Sequence, residues 1–226
     1  KKIVVLTGAG ISAESGVKTF RDADGLWEGY DIEQVATPYG FNKDPELVLN
    51  FYNGLRKQLK NVQPNPAHLL LAELEKDYNV VVITQNVDDL HERAGSSNII
   101  HLHGELLKMR GVDDPYTFYD CTEDIKVGDL SPSGVQLRPH IVWFGEDVPM
   151  IVKAAEEVET ANIVLIIGTS LQVYPAAGLM NYAEKGTPIY YIDPRPSISS
   201  KDNITVIKDV ASTGVAKAIE LIKELK

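Results

Sequence analysis

Six short runs of aliphatic, mostly β-branched residues punctuate the chain: Ile3–Thr7, Val80–Thr84, Ile99–Leu102, Ile163–Ile167, Ile189–Ile192 and Ile204–Ile207. Each is almost wholly apolar rather than alternating, the pattern of strands buried on both faces of a parallel sheet. Helical periodicity fills the intervals. Pro66–Asp77 carries Leu69, Leu70 and Leu74, and Met150–Thr160 and Ala176–Lys185 are similar. Val215–Lys226 puts Val215, Ala218, Ile219, Ile222 and Leu225 on one face. Strands alternating with helices predict an α/β fold with a doubly wound parallel sheet. Two stretches break the rhythm. Residues 20–65 hold aromatic and helical segments without a clear strand. Residues 104–140 are polar and irregular, with Gly111, Pro115, Gly128, Pro132 and Gly134. Either is a candidate for a small lobe inserted into the sheet domain.

At 226 residues, the chain suits one large domain, or one domain with such an insertion. With 32 acidic against 22 basic residues, its net charge of −10 argues against a nucleic-acid partner. The one cysteine, Cys121, excludes an internal disulfide and a four-cysteine zinc site, and fits a reducing compartment. The longest apolar runs, such as Ile163–Ile167, fall far below the roughly 18 residues a membrane helix needs. Lys1–Leu6 enters a strand-like run directly, without a signal-peptide cleavage pattern. A cytoplasmic protein without a membrane partner is expected.

The candidate chemistry lies at strand ends, where open α/β sheets bind ligands. The first strand runs into Thr7-Gly8-Ala9-Gly10-Ile11-Ser12-Ala13. Such a glycine turn either lets backbone N–H groups approach a pyrophosphate or is simply a tight strand–helix turn. Ala13 is an allowed variant at the third glycine of a dinucleotide fingerprint. The acidic residue about 20 positions on should close a second strand, yet Asp22–Trp27 is not a strand. P-loop and nucleophile-elbow motifs are absent. Gln85-Asn86-Val87-Asp88-Asp89 follows the second strand. These side chains either hold ribose hydroxyls or a carboxamide, or cap the next helix from Asp88 or Asp89. The third strand ends in His101-Leu102-His103-Gly104. Alternation puts both histidines on one face, with His103 in a general-base position or merely buried and hydrogen-bonded. As a metal pair they lack an evident third ligand. Gly168-Thr169-Ser170 closes the fourth strand as another binding turn or a cap.

Taken in order, Gly8–Gly16 with Thr19-Phe20-Arg21, Gln85–His91, His103-Gly104, Val142–Glu146 and Gly168–Leu171 resemble the sirtuins, NAD-dependent protein deacylases. The resemblance spans essentially the whole chain. It implies a Rossmann-like NAD domain, residues 1–226, with a small lobe built from insertions at about 20–65 and 104–140. It implies that an acyl-lysine oxygen attacks the nicotinamide ribose of NAD and expels nicotinamide. His103 then acts as general base on a ribose hydroxyl, and lysine and O-acyl-ADP-ribose are released. By position, Gly8, Ala9, Gly10, Ser12 and Ala13 would line the phosphate side. Phe20 and Arg21 would form the cofactor loop, and Trp27 would join the cofactor side. Gln85 and Asn86 would hold the nicotinamide ribose and Asp88 the nicotinamide amide. Gly168, Thr169, Ser170, Asp193 and Ala211 would hold the adenosine end. Val142, Trp143, Phe144 and Gly145 would take the acyl-lysine peptide as a strand.

Two departures from the family pattern matter. Sirtuins commonly carry zinc on four cysteines in the 104–140 interval, where this chain has only Cys121, so no zinc is expected. Packing of Tyr116, Phe118 and Tyr119 would hold the lobe instead. The subclass that removes acidic acyl groups has Tyr-x-x-Arg, whereas this chain has Tyr52-x-x-Leu55 with Arg56 next. Small residues at Ala36 and Gly40 leave room for larger acyl groups. Arg56 either reaches the pocket mouth beside Tyr52 or faces solvent. The expectation is activity on uncharged medium or long acyl-lysines, with succinyl-lysine poorer. Competing readings are a mono-ADP-ribosyltransferase at the same NAD site and a non-enzymatic NAD sensor.

Overall fold

The computed structural model describes residues 1–18 and 26–225. Strand β1 (Lys2–Thr7) leads into α1 (Gly10–Ala13). A hairpin of β2 (Leu26–Trp27) and β3 (Tyr30–Asp31) precedes α2 (Ile32–Val35), α3 (Pro38–Lys43), α4 (Pro45–Leu59) and α5 (Pro66–Leu74). Then come β4 (Asn79–Thr84), α6 (Leu90–Ala94), β5 (Ile99–His101), β6 (Gly104–Gly111), β7 (Phe118–Asp120) and β8 (Leu137–Ile141). The chain continues through α7 (Ile151–Glu159), β9 (Ile163–Ile167), β10 (Ile189–Ile192), β11 (Ile204–Ile207) and α8 (Ala211–Glu224).

All six apolar runs enter one parallel sheet, ordered β11-β10-β9-β1-β4-β5. Both faces of the sheet are covered. Ile3 and Val5 of β1, with Val80, Val82, Ile163 and Leu165, pack beneath α5 and α8. Val4 and Leu6, with Val81, Ile83, Val164 and Ile166, pack against α7 on the other side. Burial on two faces explains why these runs lack alternation. The chain winds from β1 through β4 to β5, then returns across β1 to β9, β10 and β11. The topological switch point therefore lies between β1 and β9, where open α/β sheets bind ligands.

A third core joins α2–α4 to a separate antiparallel sheet ordered β7-β6-β8. Helix α4 starts at Pro45, its first turn capped by the Asp44 carboxylate, which accepts the Leu47 N–H. Its buried face presents Val48, Leu49, Tyr52, Arg56 and Leu59 at helical spacing. Leu106, Ile125, Leu137, Ile141 and Trp143 meet that face.

Several expectations change. The 104–140 stretch is not irregular throughout, because β6–β8 build a sheet there. A register shift between Glu105 and Met109 breaks the alternation that would have revealed it. Residues 176–182 form a 3-10 helix rather than an α-helix, helix α5 stops at Leu74, and α8 begins at Ala211. Of the three aromatics expected to hold the lobe, Tyr116 is 76% exposed, Tyr119 is half-buried, and Phe118, though 45% exposed, stacks on His140 of β8 with ring centroids 4.2 Å apart. Asn53 helps to hold it as well: its side chain donates to the Ile125 carbonyl at 2.9 Å and accepts the Ile125 N–H at 2.9 Å.

Candidate active site

The loops after β1 and β9 touch at the switch point. Gly10 N–H donates to the Gly168 carbonyl at 2.8 Å. A Cβ at Gly10 would lie 2.6 Å from Gly168 Cα, and Gly168 itself sits at φ +65°. Only glycines permit this approach. Gly10 and Gly168 therefore support the site from behind, while Gly8, Ala9, Ser12, Thr169 and Ser170 line a cavity of about 590 Å³.

The 85–88 turn joins this wall. Asn86 Nδ2 donates to the Gly8 carbonyl at 3.0 Å and to Ser12 Oγ at 3.3 Å. Ser12 Oγ donates to Asp88 Oδ2 at 2.8 Å. The other Asp88 oxygen accepts the Leu90 N–H at 3.0 Å, so Asp88 takes the first N–H of α6 from just before its N-cap, Asp89, and faces the cavity at once. Burial pushes the Asp88 carboxyl up, against the hydrogen bonds from Leu90 and Ser12. Gln85 Nε2 bridges to Thr169 Oγ1 at 3.3 Å, tying the ends of β4 and β9 together.

His103 also lines the cavity. Burial lowers its pKa below the usual 6.5, and a hydrogen bond to the Gln85 backbone works the other way. The imidazole is thus neutral at pH 7, the form a general base needs. His101 does not share its face. Strand β5 ends at His101, and Gly104 at φ +86° starts β6, so alternation stops before His103. The His101 ring instead contacts the Asn86 carbonyl through Nδ1 and the Glu92 carboxylate through Nε2, with Glu105 at 3.8 Å. Burial opposes protonation of His101, but the Glu92 hydrogen bond and the two carboxylates outweigh it and raise its pKa.

Across from the polar strand ends, the wall is largely apolar. Ile32, Ala36, Tyr52, Leu55, Leu59 and Val62 form it with Leu106, Val142 and Trp143. Tyr52 is fully buried; its hydroxyl donates to the Val35 carbonyl at 2.9 Å and accepts from Trp143 Nε1 at 3.0 Å. Burial raises its pKa. Arg56 neither reaches this cavity nor faces solvent. It is 1% exposed, with Nε donating to the Leu106 carbonyl at 3.2 Å. One terminal nitrogen donates to Asn53 Oδ1 at 2.8 Å and to the Glu123 carbonyl at 3.3 Å. Gly40 is not a pocket floor either. A Cβ there would lie 2.2 Å from the Gln34 carbonyl, so its smallness serves the packing of α3 on α2.

Phe144, Gly145 and Trp27 line the same cavity, Trp27 packing edge-on against Phe51 and Tyr52. Ala13 is exposed at the end of α1. Asp193 is buried after β10, its carboxylate accepting the Arg195 N–H at 2.8 Å, and Ala211 is buried in the first turn of α8. Neither Asp193 nor Ala211 lines the cavity. Phe20 and Arg21 lie outside the described residues. Gln58, Leu59 and Val62 line the cavity without a signal for them having been drawn from the sequence. The spacing of Tyr52, Leu55 and Leu59 at i, i+3 and i+7 carried that signal for α4.

The sequence profile of the Sir2 family matches residues 8–175. The chain belongs to the Sir2 family. It is 57% identical over 229 residues to a Bacteroides thetaiotaomicron protein named NAD-dependent protein deacylase, covering 98% of each chain. A Helicobacter pylori protein of the same name is 62% identical over 195 residues, covering 86% of this chain and 85% of that one. Among solved Sir2 structures, a Sir2 homolog–NAD complex superposes with a TM-score of 0.87 at 39% identity, covering 100% of this chain and 90% of that one. A Sir2–p53 peptide–NAD+ complex gives 0.81 at 29% identity, covering 99% and 94%.

Proposed function

We infer that this Sir2-family chain is an NAD-dependent protein-lysine deacylase, transferring the acyl group to ADP-ribose with release of nicotinamide. The observation that carries the reading is one cavity with two walls: polar strand ends on one side, an apolar wall on the other, and neutral His103 facing it. NAD supplies the electrophilic ribose carbon and the nicotinamide leaving group. The donor set suits it. Gln85 and Asn86 can hold ribose hydroxyls, and Asp88 can accept a carboxamide N–H. Gly8, Ala9 and Ser12 suit the phosphates and Thr169 and Ser170 the adenosine ribose; Asp193 and Ala211 lie off this cavity, and their place at the adenosine end rests on the family resemblance alone. His103 takes a proton from a ribose hydroxyl.

Residues 1–226 form one catalytic domain in this reading, with the segments about 20–65 and 104–140 as its small lobe. Cys121 alone cannot hold a structural zinc, and the third core with Asn53 and Arg56 holds the lobe instead. Val142–Gly145 receives the acyl-lysine peptide, and the apolar wall takes the acyl chain. Lys18 is the one cation on the cavity wall among the described residues, mostly exposed and 3.6 Å from Glu28. With Leu55 in the wall and Arg56 turned away, uncharged acyl groups longer than acetyl fit better than succinyl. The net charge of −10 speaks against a nucleic-acid partner. No helix among the described residues is long and apolar enough to cross a membrane, and the unpaired cysteine fits a cytoplasmic enzyme.

Turnover with NAD and acetyl-, hexanoyl- and succinyl-lysine peptides, followed by mass spectrometry of products, tests this. O-acyl-ADP-ribose with free lysine is expected. ADP-ribosylated protein without deacylation would favour the transferase reading, and no turnover would favour a sensor.

A further inference from the structure

Trp143 and Glu146 line both the main cavity and a second one of about 410 Å³ behind it. They form a thin wall, and it is braced by charge. Arg138 is 4% exposed, and its two terminal nitrogens donate to Glu146 Oε2 and Oε1 at 2.8 and 2.9 Å. The pair is bidentate, the geometrically most demanding form of ion pair. Arg138 also donates to the Ile141 carbonyl at 2.8 Å, and its guanidinium lies 3.5 Å from the Trp143 ring centroid. Glu146 Oε1 accepts the Trp143 N–H at 2.9 Å, and Arg110 stands 3.7 Å from the same carboxylate. One cation thus clamps the indole ring, while its partner carboxylate clamps the backbone of the same residue.

The neighbouring backbone is committed as well. Val142 N–H donates to the His103 carbonyl at 2.8 Å and Phe144 N–H to the Ala36 carbonyl at 2.9 Å. The segment is therefore tied to the catalytic turn on one side and to the acyl wall on the other. A buried ion pair gains little stability over an apolar pair of similar volume, because two charges must be desolvated. Its distinguishing contribution is a fixed geometry.

We propose that Arg138 and Glu146 are positioning residues, which hold Trp143–Gly145 in the shape that receives the peptide and so act on substrate affinity rather than on chemistry. The proposal rests on the reading of Val142–Gly145 as the peptide-binding segment.

Steady-state kinetics on the full chain test it. Glu146→Gln keeps an acceptor for the Trp143 N–H but loses the bidentate charge. The peptide KM is expected to rise at least tenfold, with kcat and the KM for NAD within about threefold. The double variant Arg138→Met/Glu146→Leu, made in an Arg110→Met background so that no buried cation is left without the carboxylate, removes the charges and keeps apolar volume. It is expected to recover the thermal midpoint but not the peptide KM. A wild-type peptide KM in folded Glu146→Gln, or a fall in kcat alone, would overturn the proposal. So would recovery of KM together with stability in the double variant, which also decides the matter if Glu146→Gln does not fold. Peptides N-methylated beside the acyl-lysine probe the underlying reading separately. If wild-type enzyme binds them undiminished, the peptide does not pair with this segment as a strand, whatever the variants do.

Discussion

Arg56→Met separates a structural arginine from one that reads the acyl group. The guanidinium is buried between α4 and the antiparallel sheet, bonded to the Leu106 carbonyl, Asn53 Oδ1 and the Glu123 carbonyl. Hydrogen bonds from a charged donor contribute roughly 1.5–3 kcal/mol each, and three of them give a gross loss of about 4–9 kcal/mol. Removing a buried cation returns several kcal/mol of desolvation. Burial already lowers the Arg56 pKa, which shows that this opposing cost is present. Methionine fills the stem volume, and Asn53 Oδ1 keeps its bond from Ile125 N–H at 2.9 Å. The net destabilisation is about 2–4 kcal/mol. In a chain of this size 1 kcal/mol moves Tm by about 2–4 °C, so a fall of about 4–16 °C is expected. Thermal unfolding gives that shift, and kcat/KM for hexanoyl- and succinyl-lysine peptides gives selectivity. The ratio of the two should stay within about twofold of wild type. An unchanged Tm together with selective loss of succinyl turnover would refute the reasoning. The converse variant, Leu55→Arg, puts a guanidinium on the cavity wall one turn from Tyr52. A charge-assisted bond of about 1.5–3 kcal/mol predicts a gain of about 10–150-fold in succinyl kcat/KM.

His103→Ala is expected to lower kcat by about 10²–10⁴-fold while NAD affinity, measured by calorimetry, stays near wild type; near-normal turnover would remove His103 from its role. Because burial lowers the His103 pKa, the base form persists to lower pH than for a free imidazole. Activity should fall on acidification with a midpoint below the usual 6.5, and an acid limb centred above 6.5 in kcat/KM would contradict the assignment. Stability has its own acid limb. His91 and His68 are pushed down to about 3 and about 4 by burial. The unfolded chain therefore binds more protons between about pH 6.5 and those values, and stability falls as pH drops through that window. Urea midpoints that do not change between pH 7 and pH 5 would refute it. Chelators should leave Tm unchanged; one zinc per chain, lost together with the fold, would show that the lobe is metal-built.

Much of the sheet domain was legible because two-sided burial leaves a direct trace in the chain. A strand covered on both faces must be apolar at every position, and all six such runs became strands of the parallel sheet. The glycine turns at Gly8–Gly10 and Gly168 were visible for a similar local reason, since loops that touch backbone to backbone leave no room for a Cβ. A small lobe was expected at 104–140, but the antiparallel sheet inside it was not legible. Its strands are half exposed and interrupted by a register shift, so neither a continuous apolar run nor a clean alternation marks them. Direction was also hidden wherever a short reach had two options. Positions 55 and 56 point about 100° apart on a helix, and spacing alone does not say which one enters the cavity. The Leu106 and Glu123 carbonyls, 50 and 67 residues away in sequence, draw Arg56 inward and leave Leu55 on the wall. Likewise Glu92 claims His101, and the bend before Gly104 turns His103 alone toward the cavity. Local composition determined which residues had to be buried and which had to be small. The direction of each polar side chain depended on partners that only the folded chain brings within hydrogen-bond distance.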